Sequence, residues 1–239
     1  MFRLPNRVLI IGNARGIGPS IAETLLSEDR TVIIAVSDQD ETSLMQYLQL
    51  GEKHGQKDAI AHSIDFGKKS AFDKFVAAYI SPRISSLDAM IFAVEDCALE
   101  RDLEQIQEPI VNSAIQSRAW PIVGFLQALK NNLGTYPRYA IGGYWYSEES
   151  SQFDHAYRNI SSAVLETLCR YIASHLRLEG VLANLAGFRL TQDNDHFSID
   201  PNNAARSILA LCSGRFDALS GQNLRFDSGH ALQASKSNH

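Results

Sequence analysis

The stretch IIGNARGIGPSIAETLL, residues 10–26, decides the fold of this chain. It ends an apolar run, passes through three glycines, and continues with apolar residues three to four positions apart. A strand, a tight turn and an amphipathic helix in this order bring backbone N–H groups and the positive end of the helix dipole together. The pattern predicts a site for a nucleotide diphosphate, the alternative being a tight turn without a ligand. The predicted contacts are Gly12, Asn13, Arg15, Gly16, Ile17 and Gly18.

Apolar runs and helical patterns alternate along the rest of the chain. The runs lack in-and-out alternation of polar residues, which indicates strands of a parallel sheet covered on both faces. We predict an α/β fold, a Rossmann-like doubly wound three-layer sandwich with a seven-stranded parallel sheet, in a single domain over residues 1–239. Helices are predicted around residues 17–28, 41–50, 69–80, 104–132, 154–178 and 202–213. The predicted strands are Arg7–Ile11, Thr31–Val36, Ala59–Ile64, Ala89–Val94, Arg138–Gly142, Val181–Ala186 and Asn223–Phe226.

The composition argues against several classes of partner. A net charge of −5 is unfavourable for a nucleic-acid-binding protein, which needs a basic surface. No stretch of about 18 apolar residues is present, so no membrane span is predicted. The cysteines are widely spaced, and no Cys/His group has the spacing of metal ligands. These features predict reduced thiols, a cytoplasmic protein and no metal site.

Further landmarks complete a family pattern. Asp65 follows the third predicted strand, AMIFAV forms the fourth, Asn112 lies in PIVNSA, and SGQNLRFDSGH stands near the end. Together with the Gly-x-x-x-Gly-x-Gly turn, they resemble the short-chain dehydrogenase/reductase family over nearly the whole chain. The resemblance implies a nicotinamide cofactor, oxidoreductase activity on a small-molecule substrate, and a homodimer or homotetramer. The cofactor contacts expected beyond the turn are Ser37, Asp65, Phe66 and Ala93.

The choice of nucleotide depends on the residues around the end of the second strand. NAD-binding relatives carry an acidic residue there, which holds the ribose hydroxyls. Here Val36 takes that position and Ser37 follows, while Arg15 supplies a cation for a 2′-phosphate. We therefore expect NADP(H) rather than NAD(H); the alternatives are that Asp38 reaches the ribose, or that no cofactor binds. Glu95, in place of a small residue after the fourth strand, weakens the cofactor prediction.

The helix that carries the family's Tyr-x-x-x-Lys pair departs from the family pattern. The register of AVLETLCRYIASHLRLEGVLAN puts Arg158 at the tyrosine position, Ser162 at the lysine position and Trp145 at the serine position. Arginine keeps its proton at physiological pH, and a serine supplies no positive charge to lower the pKa of a neighbouring group. The usual proton-transfer residues are therefore predicted to be missing.

Neighbouring residues are candidates to replace them. Tyr144, Tyr146 and Ser147 are predicted on the loop after the fifth strand, whereas Tyr157 is rotated by about 100° from Arg158 on a helix. Asp154 and His155 precede this helix, where an ion pair with Arg158 and an exposed histidine are the ordinary interpretation. The candidate catalytic residues are Asn112, Tyr146, Ser147, Tyr157, Arg158 and Ser162.

Three functions remain open at this point. The first is an NADPH-dependent reductase of a small carbonyl compound with a relocated tyrosine. The second is a redox-inactive scaffold that serves as a binding or regulatory subunit, and the third is a cofactor-free lyase or isomerase that uses Arg158. The apolar stripe of the same helix is predicted to lie in a four-helix subunit interface or against the chain's own sheet. This stripe consists of Ile160, Val164, Leu168 and Ile172.

Overall fold

The computed structural model describes residues 4–55, 61–94, 107–146, 156–189 and 200–226. Within them, seven strands form one sheet in the order β3-β2-β1-β4-β5-β6-β7, and every neighbouring pair is parallel. This order, which reverses direction between β1 and β4, confirms the predicted doubly wound fold. The strands are β1 (Arg7–Gly12), β2 (Thr31–Ser37), β3 (Ala61–Ile64), β4 (Ala89–Ala93), β5 (Tyr139–Tyr146), β6 (Leu182–Arg189) and β7 (Asn223–Phe226).

Helices cover both faces of the sheet. The helices are α1 (Gly18–Ser27), α2 (Glu41–Lys53), α3 (Lys69–Phe75), α4 (Glu108–Arg118), α5 (Trp120–Leu133), α6 (Ala156–His175) and α7 (Pro201–Leu211). A π-helical turn, Val76–Ile80, continues α3, and a 3₁₀ turn, Arg177–Glu179, follows α6. Buried side chains of α1, α2 and α7 form one core with the sheet, and those of α3, α5 and α6 form the other. We call these two faces the α1 side and the α6 side.

The central strand shows why the apolar runs do not alternate with polar residues. Val8 and Ile10 of β1 face the core on the α1 side, while Leu9 and Ile11 face the core on the α6 side. All four side chains are completely buried. A strand with a core on each face needs apolar residues at every position, as the sequence predicted.

The predicted helix over residues 104–132 is wrong in one respect, because the structure divides it at Ala119. Pro121 lies in the first turn of the second helix. Proline has no backbone N–H, so it fits the first turn of a helix but interrupts the hydrogen bonds of a continuous one. The apolar periodicity on both sides of the break hid it from the sequence analysis.

The fifth strand is longer than predicted. It runs to Tyr146 rather than ending at Gly142, so Tyr144 and Tyr146 lie in β5 and not in the loop after it. Gly142 and Gly143 lie inside β5, where side chains of other elements occupy the space that a Cβ atom would need. A Cβ atom on Gly143 would lie 2.7 Å from the δ-carbon of Ile17, for example.

The face that α6 packs on the sheet differs from the predicted apolar stripe. Leu165 and Cys169 are buried there, each one residue after a member of the stripe. Leu165, Cys169, Ile172 and Ala173 are buried in the core on the α6 side, so of the stripe only Ile172 belongs fully to this face. Ile160, Val164 and Leu168 are half-buried. Among the helices described, none combines the length and the apolar composition needed to cross a bilayer.

Candidate functional site

The glycine turn lies at the carboxyl end of β1, between this strand and α1. Gly12 backs against β4 so closely that a Cβ atom would lie 2.3 Å from the carbonyl oxygen of Ala93. Gly16 has a φ of 66°, a left-handed conformation that favours glycine. Ile17 occupies the N-cap position of α1, and its aliphatic side chain supplies no acceptor for the amides of the first helical turn. The predicted turn is therefore formed by residues at the predicted positions.

Helix α2 contacts this turn, which the sequence analysis did not predict. The Tyr47 hydroxyl donates a hydrogen bond to the carbonyl oxygen of Asn13 at 2.8 Å. The backbone N–H of Ala14 donates to the Ser43 Oγ atom, also at 2.8 Å. A sequence signal existed, because Asp40 and Ser43 have the spacing of a helix N-cap and its third residue. Tyr47 lies one helical turn further along the same face.

A cleft of about 580 Å³ opens at the carboxyl ends of β2 and β3. Three residues predicted as cofactor contacts line it together, namely Ser37, Asp65 and Phe66. The opposite wall comes from the α4–α5 junction and includes Ile115 and Trp120, which the sequence analysis missed. The lining of the cleft is mixed: three apolar side chains, those of Phe66, Ile115 and Trp120, stand among polar and charged ones.

The carboxylate of Asp65 is fixed at the mouth of this cleft. It forms an ion pair with Lys68 at 2.7 Å and accepts a hydrogen bond from the Gly67 backbone N–H at 2.9 Å. The hydrogen bond from Lys68 is the main cause that lowers the pKa of Asp65 below its usual value. The group is therefore ionised at neutral pH and acts as an acceptor.

Tyr144 is held away from the cleft, on the α6 side of the sheet. Its side chain is buried, and its hydroxyl donates to the Oδ1 atom of Asn223 at 2.8 Å. A carboxylate oxygen of Glu166 accepts from the Asn223 amide at 2.6 Å. Burial is the main cause that raises the pKa of the Tyr144 phenol. This tyrosine therefore connects α6 to β7 and is poorly suited to donate a proton to a ligand.

Asn112 lies on α4, and its side chain is exposed. Its amide donates to a carboxylate oxygen of Glu108, one helical turn earlier, at 3.5 Å. Asn112 is not among the described residues that line the cleft. Within the described part of the chain, no group of three or more His, Cys, Asp or Glu side chains is arranged to hold a metal ion.

Comparisons with known proteins agree with this architecture. Residues 6–116 match the family model for short chain dehydrogenase. This match spans 111 of the 239 residues and shows that this part of the chain is similar to the short-chain dehydrogenase/reductase family. A dehydrogenase/reductase from Sinorhizobium meliloti has a similar structure, with a TM-score of 0.74 and 18% identity over 95% of each chain. A short chain dehydrogenase from Mycobacterium smegmatis has a TM-score of 0.71 and 16% identity over 93% of this chain and 92% of its own. No curated protein sequence matches the chain.

Three of the predicted catalytic residues lie on one helix, α6. Tyr157, Arg158 and Ser162 all lie within α6, which places Arg158 and Ser162 one turn apart. Ser162 is half-buried, and the side chains of Tyr157 and Arg158 lie outside the described part of the structure. Tyr146 ends β5, where it pairs with Arg189 of β6. The candidate residues that fall outside the described ranges are Glu95, Ser147, Asp154 and His155.

Proposed function

We propose that this chain is a short-chain dehydrogenase/reductase that binds NADP(H) and acts as an oxidoreductase on a small carbonyl or hydroxyl compound, within a single domain. Members of this superfamily generally bind a nicotinamide dinucleotide. One observation carries the proposal for this chain: the predicted contacts Ser37, Asp65 and Phe66 line one cleft at the carboxyl ends of β2 and β3. In a doubly wound sheet, nucleotides usually bind at the carboxyl ends of the strands, and β2 is the neighbour of β1, beside which the strand order reverses.

Each part of the site has a role in this proposal. The glycine turn and the first turn of α1 offer N–H groups to the diphosphate. Phe66, Ile115 and Trp120 provide apolar surfaces for the adenine ring, and the Asp65 carboxylate accepts a hydrogen bond from its amino group. A bound nicotinamide supplies or accepts the hydride. The residues of the chain bind and orient the cofactor and the substrate, and they move the proton.

Arg15 and Ser37 support the choice of NADP(H). Arg15 is exposed on the glycine turn and Ser37 ends β2 in the cleft, and a cation and a hydroxyl are the groups that bind a 2′-phosphate. Asp38, however, also lines the cleft, and a carboxylate there favours the two ribose hydroxyls of NAD(H). A test of the nucleotide preference therefore needs a variant of Arg15 and a variant of Asp38.

The test is a titration with NADPH and with NADH, followed by the fluorescence of the reduced nicotinamide. Arg15→Ala is expected to weaken NADPH binding by about tenfold and to change NADH binding by less than about twofold. Asp38→Asn serves as the matched variant, and any loss of affinity in it is expected for NADH and not for NADPH. A stronger effect of Asp38→Asn on NADH than of Arg15→Ala on NADPH overturns the NADP(H) assignment. Dissociation constants weaker than about 1 mM for both nucleotides overturn the oxidoreductase proposal as a whole.

The proton donor is assigned to a tyrosine near the amino end of α6 or the end of β5. The candidates are Tyr146, which Ser147 follows, and Tyr157. A substitute is needed because the register of α6 puts Arg158 where the family has its tyrosine and Ser162 where it has its lysine. Replacing the responsible tyrosine by phenylalanine is expected to lower turnover at least about 100-fold without changing the affinity for NADPH. Asn112→Ala is expected to leave NADPH affinity unchanged, since its side chain does not line the cleft.

The same register favours a second candidate function, a redox-inactive scaffold that acts as a binding or regulatory subunit. Arg158 keeps its proton and Ser162 carries no charge, so neither residue performs the proton transfer that a tyrosine and a lysine perform together. A protein that binds NADPH but oxidises it with no member of a broad carbonyl panel supports this function. Activity that survives without nucleotide and is lost in Arg158→Ala instead supports a lyase or isomerase.

We also propose a homodimer or homotetramer. Helices α4 and α6 contact each other, and the half-buried residues Ile160, Val164 and Leu168 lie beside the face that α6 packs on the sheet. Apolar side chains that their own subunit covers only in part are suited to a second copy of the chain. Analytical ultracentrifugation tests this proposal, and a monomer across the micromolar range refutes it.

A further inference from the structure

Helix α2 binds the glycine turn through two neighbouring backbone groups. The Tyr47 hydroxyl donates to the carbonyl oxygen of Asn13, and the Ala14 N–H donates to the Ser43 Oγ atom, each at 2.8 Å. Tyr47 and Ser43 are 1% and 2% exposed, so water does not compete for these hydrogen bonds. One donor and one acceptor of α2 thus meet one acceptor and one donor of the turn.

Asp40 fixes the direction of the Ser43 hydrogen bond. This residue is the N-cap of α2, and its carboxylate accepts from the Ser43 backbone N–H at 3.0 Å and from the Ser43 hydroxyl at 2.7 Å. Because the Ser43 proton is given to Asp40, the Ser43 oxygen is left to accept from Ala14. The result is a chain of two hydrogen bonds that ends on a carboxylate, an arrangement stronger than a neutral pair.

Tyr47 occupies the space beneath the turn. A Cβ atom on Gly18 would lie 2.2 Å from the Tyr47 hydroxyl oxygen and 2.9 Å from the Asn13 carbonyl oxygen. The third glycine of the motif is therefore required by a side chain of this protein, even without a ligand. Burial is the main cause that raises the pKa of Tyr47 far above its ordinary range, so the phenol remains a donor at every accessible pH.

The same segment of chain reaches the cleft. Ser37, Asp38 and Gln39 line it, and Asp40 follows directly, with its backbone N–H bonded to the Ser37 carbonyl oxygen at 3.0 Å. The connection between β2 and α2 thus touches the cleft at one end and holds the glycine turn at the other. A glycine-rich turn has a large conformational entropy to lose on binding, and contacts that order it beforehand reduce that cost.

We propose that Asp40, Ser43 and Tyr47 are positioning residues that hold the glycine turn in its diphosphate-binding conformation before a nucleotide arrives. The proposal rests on the proposed dinucleotide site. It assigns a role to three residues of α2, none of which belongs to the glycine motif. These residues act on the ligand through the backbone of the turn.

The test compares Tyr47→Phe with Tyr139→Phe. Tyr139 is also a buried tyrosine, and its hydroxyl donates to Asp217 at 2.9 Å, but it lies at the amino end of β5, whereas the glycine turn follows the carboxyl end of β1. Each variant loses one buried hydrogen bond of similar length, so a general loss of stability affects both. Dissociation constants are measured for NADPH and for adenosine 2′-phosphate, which enters the cleft but carries no diphosphate.

Tyr47→Phe is expected to weaken NADPH binding by about 3- to 10-fold and adenosine 2′-phosphate binding by less than about twofold. Tyr139→Phe is expected to change neither by more than about twofold. NADPH affinity equal to that of the unmodified protein overturns the proposal. An equal loss for both ligands also overturns it, because a merely structural role would produce that result.

Amide hydrogen exchange without ligand separates this proposal from the proposed function. The amides of residues 13–18 are expected to exchange faster in Tyr47→Phe than in the unmodified protein, and no faster in Tyr139→Phe. Unchanged exchange in Tyr47→Phe overturns the positioning role. If the unmodified protein binds neither NADPH nor NADH, the dinucleotide function fails, while faster exchange in Tyr47→Phe still supports the hold of α2 on the turn.

Discussion

The contact between Gly18 and Tyr47 predicts a specific coupling between two substitutions. The φ angle of Gly18 lies outside the left-handed region, so the backbone itself tolerates alanine. The new methyl group, however, would lie 2.2 Å from the Tyr47 hydroxyl oxygen, far inside van der Waals contact. The hydroxyl must move away, and its hydrogen bond to Asn13 is lost as it does so.

The magnitudes follow from the two effects. Overpacking a well-packed site costs about 1–3 kcal/mol, and a lost hydrogen bond costs about 1 kcal/mol. The higher helix propensity of alanine returns up to about 1 kcal/mol. Gly18→Ala is therefore expected to lower the free energy of unfolding by about 2–3 kcal/mol. Tyr47→Phe alone is expected to lower it by about 1 kcal/mol.

The double variant is expected to be more stable than the sum of these effects implies. Without the hydroxyl, the nearest ring atom to the Gly18 methyl is the Tyr47 ζ-carbon at 3.6 Å, an ordinary contact, but the Asn13 carbonyl oxygen still lies 2.9 Å from the methyl. The two substitutions together are therefore expected to cost about 2–3 kcal/mol instead of the sum of about 3–4 kcal/mol, which is a coupling of about 1 kcal/mol. Urea denaturation of the ligand-free protein measures all four free energies of unfolding.

Gly12→Ala supplies the matched control. A methyl group there meets the backbone of Ala93, at 2.3 Å from its carbonyl oxygen, and not Tyr47. Its cost is expected to add to that of Tyr47→Phe within about 0.5 kcal/mol. Additive costs for Gly18→Ala and Tyr47→Phe would refute the reasoning, since they would mean that the third glycine serves the ligand alone.

Three further predictions concern other parts of the molecule. Burial raises the pKa of Asp88, but hydrogen bonds from the Arg7 guanidinium and from backbone amides outweigh it and bring the pKa below its usual value. The stability that this carboxylate contributes is therefore present above the unfolded-state pKa and is lost as the pH falls through the folded-state pKa. Asp88→Asn is expected to lower the free energy of unfolding by about 1 kcal/mol at pH 7 and by less at pH 3, as measured by urea denaturation. Burial raises the pKa of Cys169 to about 12 and that of Cys212 beyond its ordinary range, so iodoacetamide at neutral pH is expected to label both only in urea, as read by peptide mass spectrometry. Gly143→Ala places a methyl group 2.7 Å from an isoleucine δ-carbon of the glycine turn, and a fall in the melting temperature of about 4–8 °C is expected by calorimetry.

Local patterns predicted most of the fold. The β1–turn–α1 unit, the parallel sheet of apolar strands and the helices between them all depend on residues close in the sequence, whose periodicity reports the secondary structure directly. The break at Ala119 and the full length of β5 were not predicted. Proline inside a continuous apolar pattern and glycines inside a strand are ambiguous until the packing around them is known.

The site divides in the same way. The sequence by itself determined the glycine turn and the places of Ser37, Asp65 and Phe66, the predicted cofactor contacts, because their positions follow from the ends of predicted strands. Only the tertiary structure decided that Trp120 closes the cleft, and that Tyr47 of α2 holds the turn. These contacts join residues that lie dozens of positions apart. Local periodicity carries no information about such pairs, since they meet only when the strands and helices have packed together.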